Sequence, residues 1–319
     1  MQPFCSYAER FFIAPALSFI FAHCYNTIMK VTGFSFIKNA VKFQYPIQEA
    51  LQSILPLCDE VIVAAGNSED NTRDIVAAID TQKIKIIDTV WNENLKTGGA
   101  VLADETNKAF NAISDEADWC MYIQGDEVLH EKYYDEIKAA MHKWKDDKNV
   151  DGLLFNYLHF YGSFDFVGTS SNWYRKEIRM IKNDKRIYSY RDAQGFRKGD
   201  NEKLRVKPLN ACIYHYGWVR EPRAMQLKQN NFGRYWRGDT DSERNEKIYT
   251  GGFDYSHIDA LEKFTGTHPA VMQRRIANMN WQFDYDISFN KLKLKDRLKN
   301  FLERATGKRF FDYANYEIV

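Results

Sequence analysis

The sequence predicts an α/β protein with a mixed, mostly parallel sheet flanked by helices, and three observations favour this class. Short apolar runs alternate with amphipathic helical patterns between residues 31 and 145. This succession is typical of parallel strands joined by right-handed crossovers. Several runs are almost wholly apolar, as expected for strands covered on both faces. With 319 residues, 45% of them hydrophobic, the chain can also bury a large core.

The first half of the chain divides into alternating elements with clear boundary signals. Pro46 lies where a helix begins, a favoured place for proline, and Pro56 ends that helix. Strands are predicted at 31–37, 60–65, 84–87 and 119–123, and helices at 47–55, 73–79, 100–113 and 132–145. No G-x-G-x-x-G follows the first strand and no G-x-x-x-x-G-K-[ST] occurs. Dehydrogenase-type dinucleotide folds and the phosphate loop of ATPases are therefore disfavoured.

The composition limits the classes of partner that the protein is expected to bind and the cellular compartment that suits it. The formal net charge is +1, with 27% charged residues, so no charge bias points to nucleic acid. The five cysteines are odd in number and lack a Cys-x-x-Cys pair, which argues against a zinc site or a disulfide framework. A reducing, cytoplasmic compartment fits best.

Residues 1–28 differ from the rest of the chain. The apolar run 11–22 (FFIAPALSFIFA) is shorter than the ~20 residues that span a bilayer. It has the length of a signal-peptide core, but it lacks a basic leader and a clear cleavage site. Because Met29 directly precedes the first strong strand, we expect 1–28 to be an extension upstream of a misplaced start codon, or a poorly packed tail. A secretory signal is the alternative.

The acidic turn that follows the strand at 119–123 carries the most chemical information. Asp126 and Glu127 come directly after a buried strand, although carboxylates resist burial unless they are paired or bound to a metal. Open α/β sheets bind ligands at the carboxyl ends of their strands. We therefore predict that Asp126 anchors a divalent metal, with Gly125 allowing close backbone approach and Gln124 offering an amide oxygen. The alternative is that both acids cap the helix that follows.

Three stretches together resemble the glycosyltransferase family 2 enzymes of the GT-A fold. They are residues 35–39 (SFIKN), 59–72 (DEVIVAAGNSEDNT) and 119–127 (WCMYIQGDE). They are similar to the family's first strand, to its Asp-Glu segment ending in Asp-Gly-Thr, and to its W-x-x-x-x-D-A-D-E segment. The chain departs from the pattern at Gln124, where the first acid of Asp-x-Asp stands, and at Ala65, where an Asp often contacts the base. It looks like a bacterial subgroup with a Gln-x-Asp-Glu version of the motif.

The resemblance implies a GT-A fold with a C-terminal helical extension. It also implies an enzyme that moves a sugar from a nucleotide sugar to a glycan or lipid-linked acceptor of the cell envelope. Inversion and a Mn²⁺ or Mg²⁺ cofactor are part of the same implication. A divalent ion suits this chemistry because the leaving diphosphate carries charge that must be neutralised.

Upstream residues would complete the donor site. Lys38 and Asn39 follow the first strand, where a cation could meet phosphate, although they could equally just end that strand. Ser68 and Asp70 precede a helix, so capping is the alternative to donor contact for both. The two roles are compatible, because a helix N-terminus suits a nucleotide.

The second half supplies acceptor-side candidates and a late histidine. His215 has the chain position from which GT-A enzymes often take a further metal or diphosphate contact. A hydrogen-bonded structural histidine is the alternative. Trp173, Arg179 and Trp218 are expected on the acceptor side, Arg179 in a strand with one polar face.

An inverting transfer needs a general base. Asp192 is the first candidate, because it follows the strand-like residues 187–190 at the position of the family's late acid, and Glu127 is the second. For Asp192 the alternative is an ordinary surface turn, because residues 192–197 have the pattern of a polar turn.

The predicted organisation is a donor half at 29–150, an acceptor half of the same domain at 151–231, and a helical region at 232–319. Residues 291–304 form a basic amphipathic pattern whose apolar side we expect to pack on its own domain. Peripheral contact with a membrane that carries a lipid-linked acceptor is the alternative. Two rival functions remain. One is a nucleotidyltransferase, and the other is a non-catalytic carbohydrate- or nucleotide-sugar-binding protein on the same scaffold.

Overall fold

The computed structural model describes residues 29–79, 82–237, 252–306 and 313–319. The strands are β1 Val31–Ile37, β2 Glu60–Gly66, β3 Ile84–Thr89, β4 Trp119–Tyr122, β5 Glu127–Leu129, β6 Gly152–Tyr161, β7 Phe166–Gly168, β8 Lys176–Lys182, β9 Ile187–Tyr190, β10 Gly195–Lys198, β11 Glu202–Trp218, β12 Leu261–Lys263 and β13 Tyr316–Ile318. The helices are α1 Ile47–Ile54, α2 Thr72–Ala77, α3 Ala100–Asn111, α4 Tyr134–Trp144, α5 Pro222–Arg237, α6 Gln273–Ala277 and α7 Leu294–Thr306. The misplaced-start expectation falls on residues 1–28, outside the described ranges.

The strands form a mixed sheet in the order β3-β2-β1-β4-β8-β6-β11-β10-β9. β3, β2, β1 and β4 are parallel neighbours, as the alternating pattern predicts. β8 is inserted antiparallel between β4 and β6, and β6 then pairs parallel with β11. The α/β class and the mixed sheet flanked by helices are therefore confirmed. The insertion of β8 joins the two predicted halves into one sheet.

The helices cover the sheet with the apolar faces that their spacing predicts. Ile47, Leu51 and Ile54 of α1 are fully or almost fully buried in a core shared with strands β1, β2 and β4. Val101 and Phe110 of α3 are buried toward the opposite face of the sheet. Helices on both faces explain why these strands are apolar along their whole length.

The chain after the acidic turn differs from the sequence prediction. Residues 127–129 form β5, which pairs antiparallel with β11, and α4 begins only at Tyr134, after a 3-10 turn at Glu131–Tyr133. The alternative that Asp126 and Glu127 cap the following helix is therefore wrong. Residues 195–197, expected in a polar turn, instead belong to β10 and pair with β9. Both errors arise because short antiparallel pairings depend on distant partners rather than on local pattern.

One extra residue interrupts β11 near its end. His215 pairs with His159, whereas Trp218 pairs with Tyr161, so β11 advances by three residues while β6 advances by two. Such a register shift is a β-bulge, which bends a strand and re-aims its side chains. Gly217 lies within this bulge.

The C-terminal region is not purely helical. Its described residues include β12, paired with β7, and β13, paired with β11. Helix α7 is present where predicted, but Leu294, Leu298 and Phe301 are exposed while Asp296 is buried. The expectation that its apolar side packs on the domain is therefore wrong for these three residues, whereas Leu292 and Leu302 are half-buried.

Cys58, Cys120 and Cys212 are buried free thiols. Among the described residues, no helix combines the length and apolar character needed to cross a bilayer.

Candidate active site

A cavity of about 680 Å³ opens at the carboxyl ends of β1 and β4, where the acidic turn was predicted to bind a ligand. Most of the candidate donor residues line it, together with one face of α5. The donor candidates in the lining are Lys38, Asn39, Gln124, Gly125 and Asp126. The lining also includes Asp192, His215 and Trp218, with Lys228 and Tyr235 from α5. This volume lies in the range of small-molecule sites. Folding therefore brings side chains from residue 38 to residue 235 into one cavity.

Asp126 is a buried carboxylate held among cations. Lys228 Nζ lies 3.1 Å from Asp126 Oδ2 and also donates to the Gly217 carbonyl at 2.9 Å. An Arg220 NH2 nitrogen is 3.8 Å from the same carboxylate oxygen. Burial by itself raises the pKa of the Asp126 carboxyl, but the charge of Lys228 and its neighbours outweighs burial and holds that pKa below its ordinary range. Burial lowers the pKa of Lys228 to about 8.

His215 faces Asp126 because β5 pairs with β11. Its Nε2 lies 3.8 Å from Asp126 Oδ1, too far for a hydrogen bond. Its Nδ1 lies 3.1 Å from Nδ1 of His159, whose Nε2 is 2.8 Å from the Tyr174 carbonyl. Burial lowers the pKa of both imidazoles, so both are neutral near pH 7.

This chain of contacts fixes the tautomer of His215. A carbonyl only accepts, so His159 must donate from Nε2 to Tyr174, and its Nδ1 is then an acceptor. His215 must therefore donate from Nδ1, which leaves a lone pair on Nε2 directed toward Asp126. Metal-binding histidines are usually oriented in this way by a hydrogen bond at the other ring nitrogen.

The donor set fits a divalent cation that is completed by substrate. A carboxylate is a normal ligand for both Mn²⁺ and Mg²⁺, whereas the harder Mg²⁺ binds an imidazole nitrogen less readily than Mn²⁺ does. The described part of the chain has no group of three or more His, Cys, Asp or Glu able to hold a metal. Further ligands would therefore come from phosphate oxygens and water, as is common for Mg²⁺.

Two glycines let the site close around Asp126. A Cβ on Gly217 would lie 2.4 Å from the His215 ring and 3.0 Å from the Asp126 carboxylate. A Cβ on Gly125 would lie 2.8 Å from Ile37 Cδ1. The backbone can approach this closely only without a side chain.

Glu127 lies beneath the cavity rather than in it. It is fully buried and accepts from Arg179 at 2.8 and 2.7 Å, and from Tyr157 at 2.8 Å. It also accepts from the backbone N–H of Gln124 at 3.1 Å. With both oxygens engaged, this placement argues against Glu127 as the general base. Arg179 is equally buried and lines neither described cavity, so its polar strand face points inward and an acceptor contact is not favoured.

Gln124 connects the acidic turn to the loop that carries Asp192. Its Nε2 donates to the Ala193 carbonyl at 3.1 Å and to the Tyr122 hydroxyl at 3.2 Å. An Asp or Glu at this position could not donate when ionised. The departure from the family's acidic pattern therefore has a structural reason.

We expect Gln124→Glu to lower the free energy of unfolding by about 1–3 kcal/mol, because the Ala193 carbonyl would lose its donor and face a carboxylate. Urea unfolding measures the change, with Gln52→Glu on the exposed side of α1 as the matched control. A Gln124→Glu protein as stable as the control would contradict the proposed connection.

The upstream residues shape the cavity rim. Asn39, in the left-handed region at φ 55, donates its backbone N–H to Ser68 Oγ and accepts from the Glu69 N–H. Asp70 accepts from the N–H groups of Lys42 and of Thr72, the first residue of α2, although the N-cap residue of that helix is Asn71. Ser68 and Asp70 thus hold the rim, and neither lines the cavity.

An aromatic wall lies next to Lys38. Its Nζ sits 5.4 Å from the centre of the Trp91 ring, which also contacts Phe36 and Tyr235 at 6.0 and 5.6 Å between ring centres. This wall offers ring faces and a cation to the cavity that Asp126 also lines.

Asp192 lies in the cavity wall on a strained loop. Arg191 and Ala193, on either side of it, have φ values of 54° and 61°, which non-glycine residues rarely adopt. Burial raises the pKa of the Asp192 carboxyl above its ordinary value. Strained backbone next to a group of perturbed pKa is common at functional sites.

A second cavity of about 440 Å³ adjoins the first. Trp218 lines both, and Trp173 lines the second, with the two indole centres 6.1 Å apart. Tyr161 stacks on Trp218 with ring centres 5.8 Å apart. The predicted acceptor-side tryptophans are therefore brought together next to the donor candidates.

Sequence reasoning missed several members of the site, among them His159, Lys228 and the aromatic residues Trp91 and Tyr235. His159 occurs in a strand of alternating residues and looks like any half-buried polar side chain. Lys228 lies in a helix whose charged residues show no motif. Only the three-dimensional pairing of β6 with β11, and the position of α5 across the cavity, identifies them.

No family model matches the chain, and no curated protein sequence matches it either. Some solved structures are similar to this chain. S. aureus TarS, residues 1–349, is 14% identical with a TM-score of 0.38, covering 68% of each chain. The same protein in complex with UDP is 16% identical with a TM-score of 0.39. Glucosyl-3-phosphoglycerate synthase from Mycobacterium tuberculosis, in complex with Mn²⁺, UDP and phosphoglyceric acid, is 15% identical with a TM-score of 0.29, covering 41% of this chain and 43% of that one. The likeness is confined to the fold.

Proposed function

We propose that this protein transfers a sugar from a nucleotide sugar to a hydroxyl group of a glycan or lipid-linked acceptor, with inversion. The observation that carries the proposal is the pairing of Asp126 with the Nε2 lone pair of His215 in a cavity that also holds Lys228. A diphosphate needs cations, and a nucleotide sugar needs a cavity of this size. The aromatic wall at Trp91 suits a nucleobase.

Asp126 and His215 would hold Mn²⁺ or Mg²⁺. Such an ion neutralises charge on the two phosphates of the leaving group. Lys228 adds a second cation. Its ammonium group already contacts Asp126, so we expect it to turn toward phosphate oxygen when a metal binds the carboxylate.

The transfer breaks the anomeric C–O bond, and the electron pair leaves with the diphosphate. The acceptor oxygen attacks the opposite face of the anomeric carbon and loses its proton to a base. Asp192 supplies that base, since it lies in the cavity wall and its burial favours proton uptake. Trp218 and Trp173 flank the acceptor, because their cavity adjoins the donor cavity.

Thermal melting with a panel of nucleotide sugars, with and without Mn²⁺, tests the proposal. A donor at 100 times its dissociation constant adds about 2.7 kcal/mol to the free energy of unfolding. We expect one donor to raise the melting temperature, and Asp126→Asn to remove the part of that shift that depends on Mn²⁺. Asp146→Asn, at an exposed position, is the control.

Two outcomes would count against parts of this proposal. If no nucleotide sugar shifts the melting temperature, the donor assignment fails. If the shift persists unchanged in Asp126→Asn, the metal anchor fails. Binding without turnover would instead favour the rival function, a non-catalytic sugar-binding protein.

A further inference from the structure

Helix α7 presents its apolar side away from the protein. Leu294, Leu298 and Phe301 are 83%, 59% and 66% exposed. Residues spaced by four and by three along a helix share one face, so these side chains form a continuous strip. A surface helix of a globular domain normally turns such a strip toward the core.

The opposite side of α7 is polar and faces the domain. Asp296 is only 4% exposed, and Glu303 is half-buried. Asn300 Nδ2 lies 3.5 Å from the Thr169 carbonyl. The polarity of α7 is thus inverted relative to an ordinary surface helix, with its acids inward and its apolar strip outward.

Cations border the strip. At 100° per residue, Lys295 lies on one side of the apolar strip and Arg297 on the other, and both are exposed. Lys291 and Lys293 precede the helix and are exposed as well. Long basic side chains beside an apolar strip can extend to lipid phosphates while their methylene groups stay in the apolar layer.

We propose that α7 binds in the plane of an anionic lipid bilayer, with Leu294, Leu298 and Phe301 entering the acyl boundary and Lys295 and Arg297 contacting lipid phosphates. A second copy of the chain is a poorer occupant. An isologous contact through this strip would set the same cations against one another. Because the whole chain carries a net charge of only +1, the attraction is local to this surface.

The position of α7 connects this surface to the second cavity. The N–H of Lys291 donates to the Asp259 carbonyl at 2.7 Å, and the Asp259 carboxylate accepts from Asn172 at 2.9 Å. Asp259 and Asn172 both line the cavity that contains Trp173. A bilayer bound at α7 would therefore lie beside the expected acceptor side, although the membrane proposal does not depend on glycosyl transfer.

Sedimentation of the full chain with vesicles tests the proposal. The vesicles are of phosphatidylcholine alone or of phosphatidylcholine mixed with phosphatidylglycerol. We expect the protein to bind the mixed vesicles. This binding should weaken at about 1 M salt, where the Debye length falls to about 3 Å. Leu298→Glu/Phe301→Glu should weaken it about tenfold or more, because two apolar groups become acids facing anionic lipid. Val90→Glu, at a valine 71% exposed elsewhere, should bind like the wild type.

A second variant distinguishes a loss of the α7 surface from a loss of folding. Lys295→Glu/Arg297→Glu changes only exposed side chains of α7 and should likewise lose binding to mixed vesicles. The proposal is overturned if the wild-type protein binds neither kind of vesicle. It is also overturned if both α7 variants bind as the wild type does, which would assign the contact to another segment such as 1–28. A wild-type dimer that the α7 variants dissociate, without vesicle binding, would instead make a second copy the occupant.

Discussion

Replacing Asp192 with Asn is expected to lower kcat by about 10²- to 10⁴-fold, the usual contribution of a general base. Donor binding should change little, since the predicted metal ligands are Asp126 and His215. Because burial raises the pKa of Asp192, the wild-type rate should rise as pH increases through that pKa, when the carboxylate form appears. The Asn variant should lack this rise. Release of nucleoside diphosphate from the donor found by thermal melting measures both effects.

Asp200→Asn is the matched control, since Asp200 is exposed on the turn between β10 and β11. It should keep the wild-type rate and pH profile. If Asp192→Asn turns over as fast as this control, the base lies elsewhere.

Removing Glu127 should produce the largest loss of stability. Glu127→Ala leaves the fully buried Arg179 guanidinium without its carboxylate, and an unpaired buried charge costs about 3–5 kcal/mol. The Tyr157 hydroxyl and the Gln124 N–H lose an acceptor at the same time. We therefore expect a much lower urea midpoint with little change in the slope.

Two comparisons test the cause of that loss. Glu116→Ala removes the partner of Lys30 in a surface pair 3.0 Å apart, and we expect its urea midpoint to stay close to that of the wild type. The double variant Glu127→Met/Arg179→Met should be more stable than Glu127→Ala, because no charge stays buried. A double variant less stable than Glu127→Ala would show that packing, rather than the unpaired charge, dominates.

The sequence predicts the parallel part of the fold better than the antiparallel part. β1, β2, β3 and the helices between them have apolar periods that each segment carries by itself, so their order follows from local pattern. β5 has three residues, and its pairing with β11 spans more than eighty positions. Nothing in the local sequence encodes such a partner, so no strand was expected between the turn at 124–127 and the helix at 132–145.

The candidate site, like the fold, was only partly predictable from the sequence. Asp126 stands out because acids after a buried strand have few packing explanations, whereas His215 stands out only by its position in the chain. Glu127 looks equally functional in the sequence, yet its neighbour in space is Arg179 rather than the cavity. Asp126 lies in the turn before β5 and lines the cavity, whereas Glu127 begins β5 and pairs with Arg179 beneath the cavity.

The bulge in β11 has a consequence for how donor and acceptor meet. In a regular strand, residues three apart point to opposite faces, so His215 and Trp218 could not share a wall. The extra residue in the bulge shifts the alternation of side chains by one position, so His215 and Trp218 point to the same side. Both side chains therefore line the same cavity. One inserted backbone unit thus places a metal-ligand candidate beside an indole that also borders the second cavity. Deleting Gly217 would restore the regular alternation and separate them, a change in geometry that no side-chain substitution could reproduce.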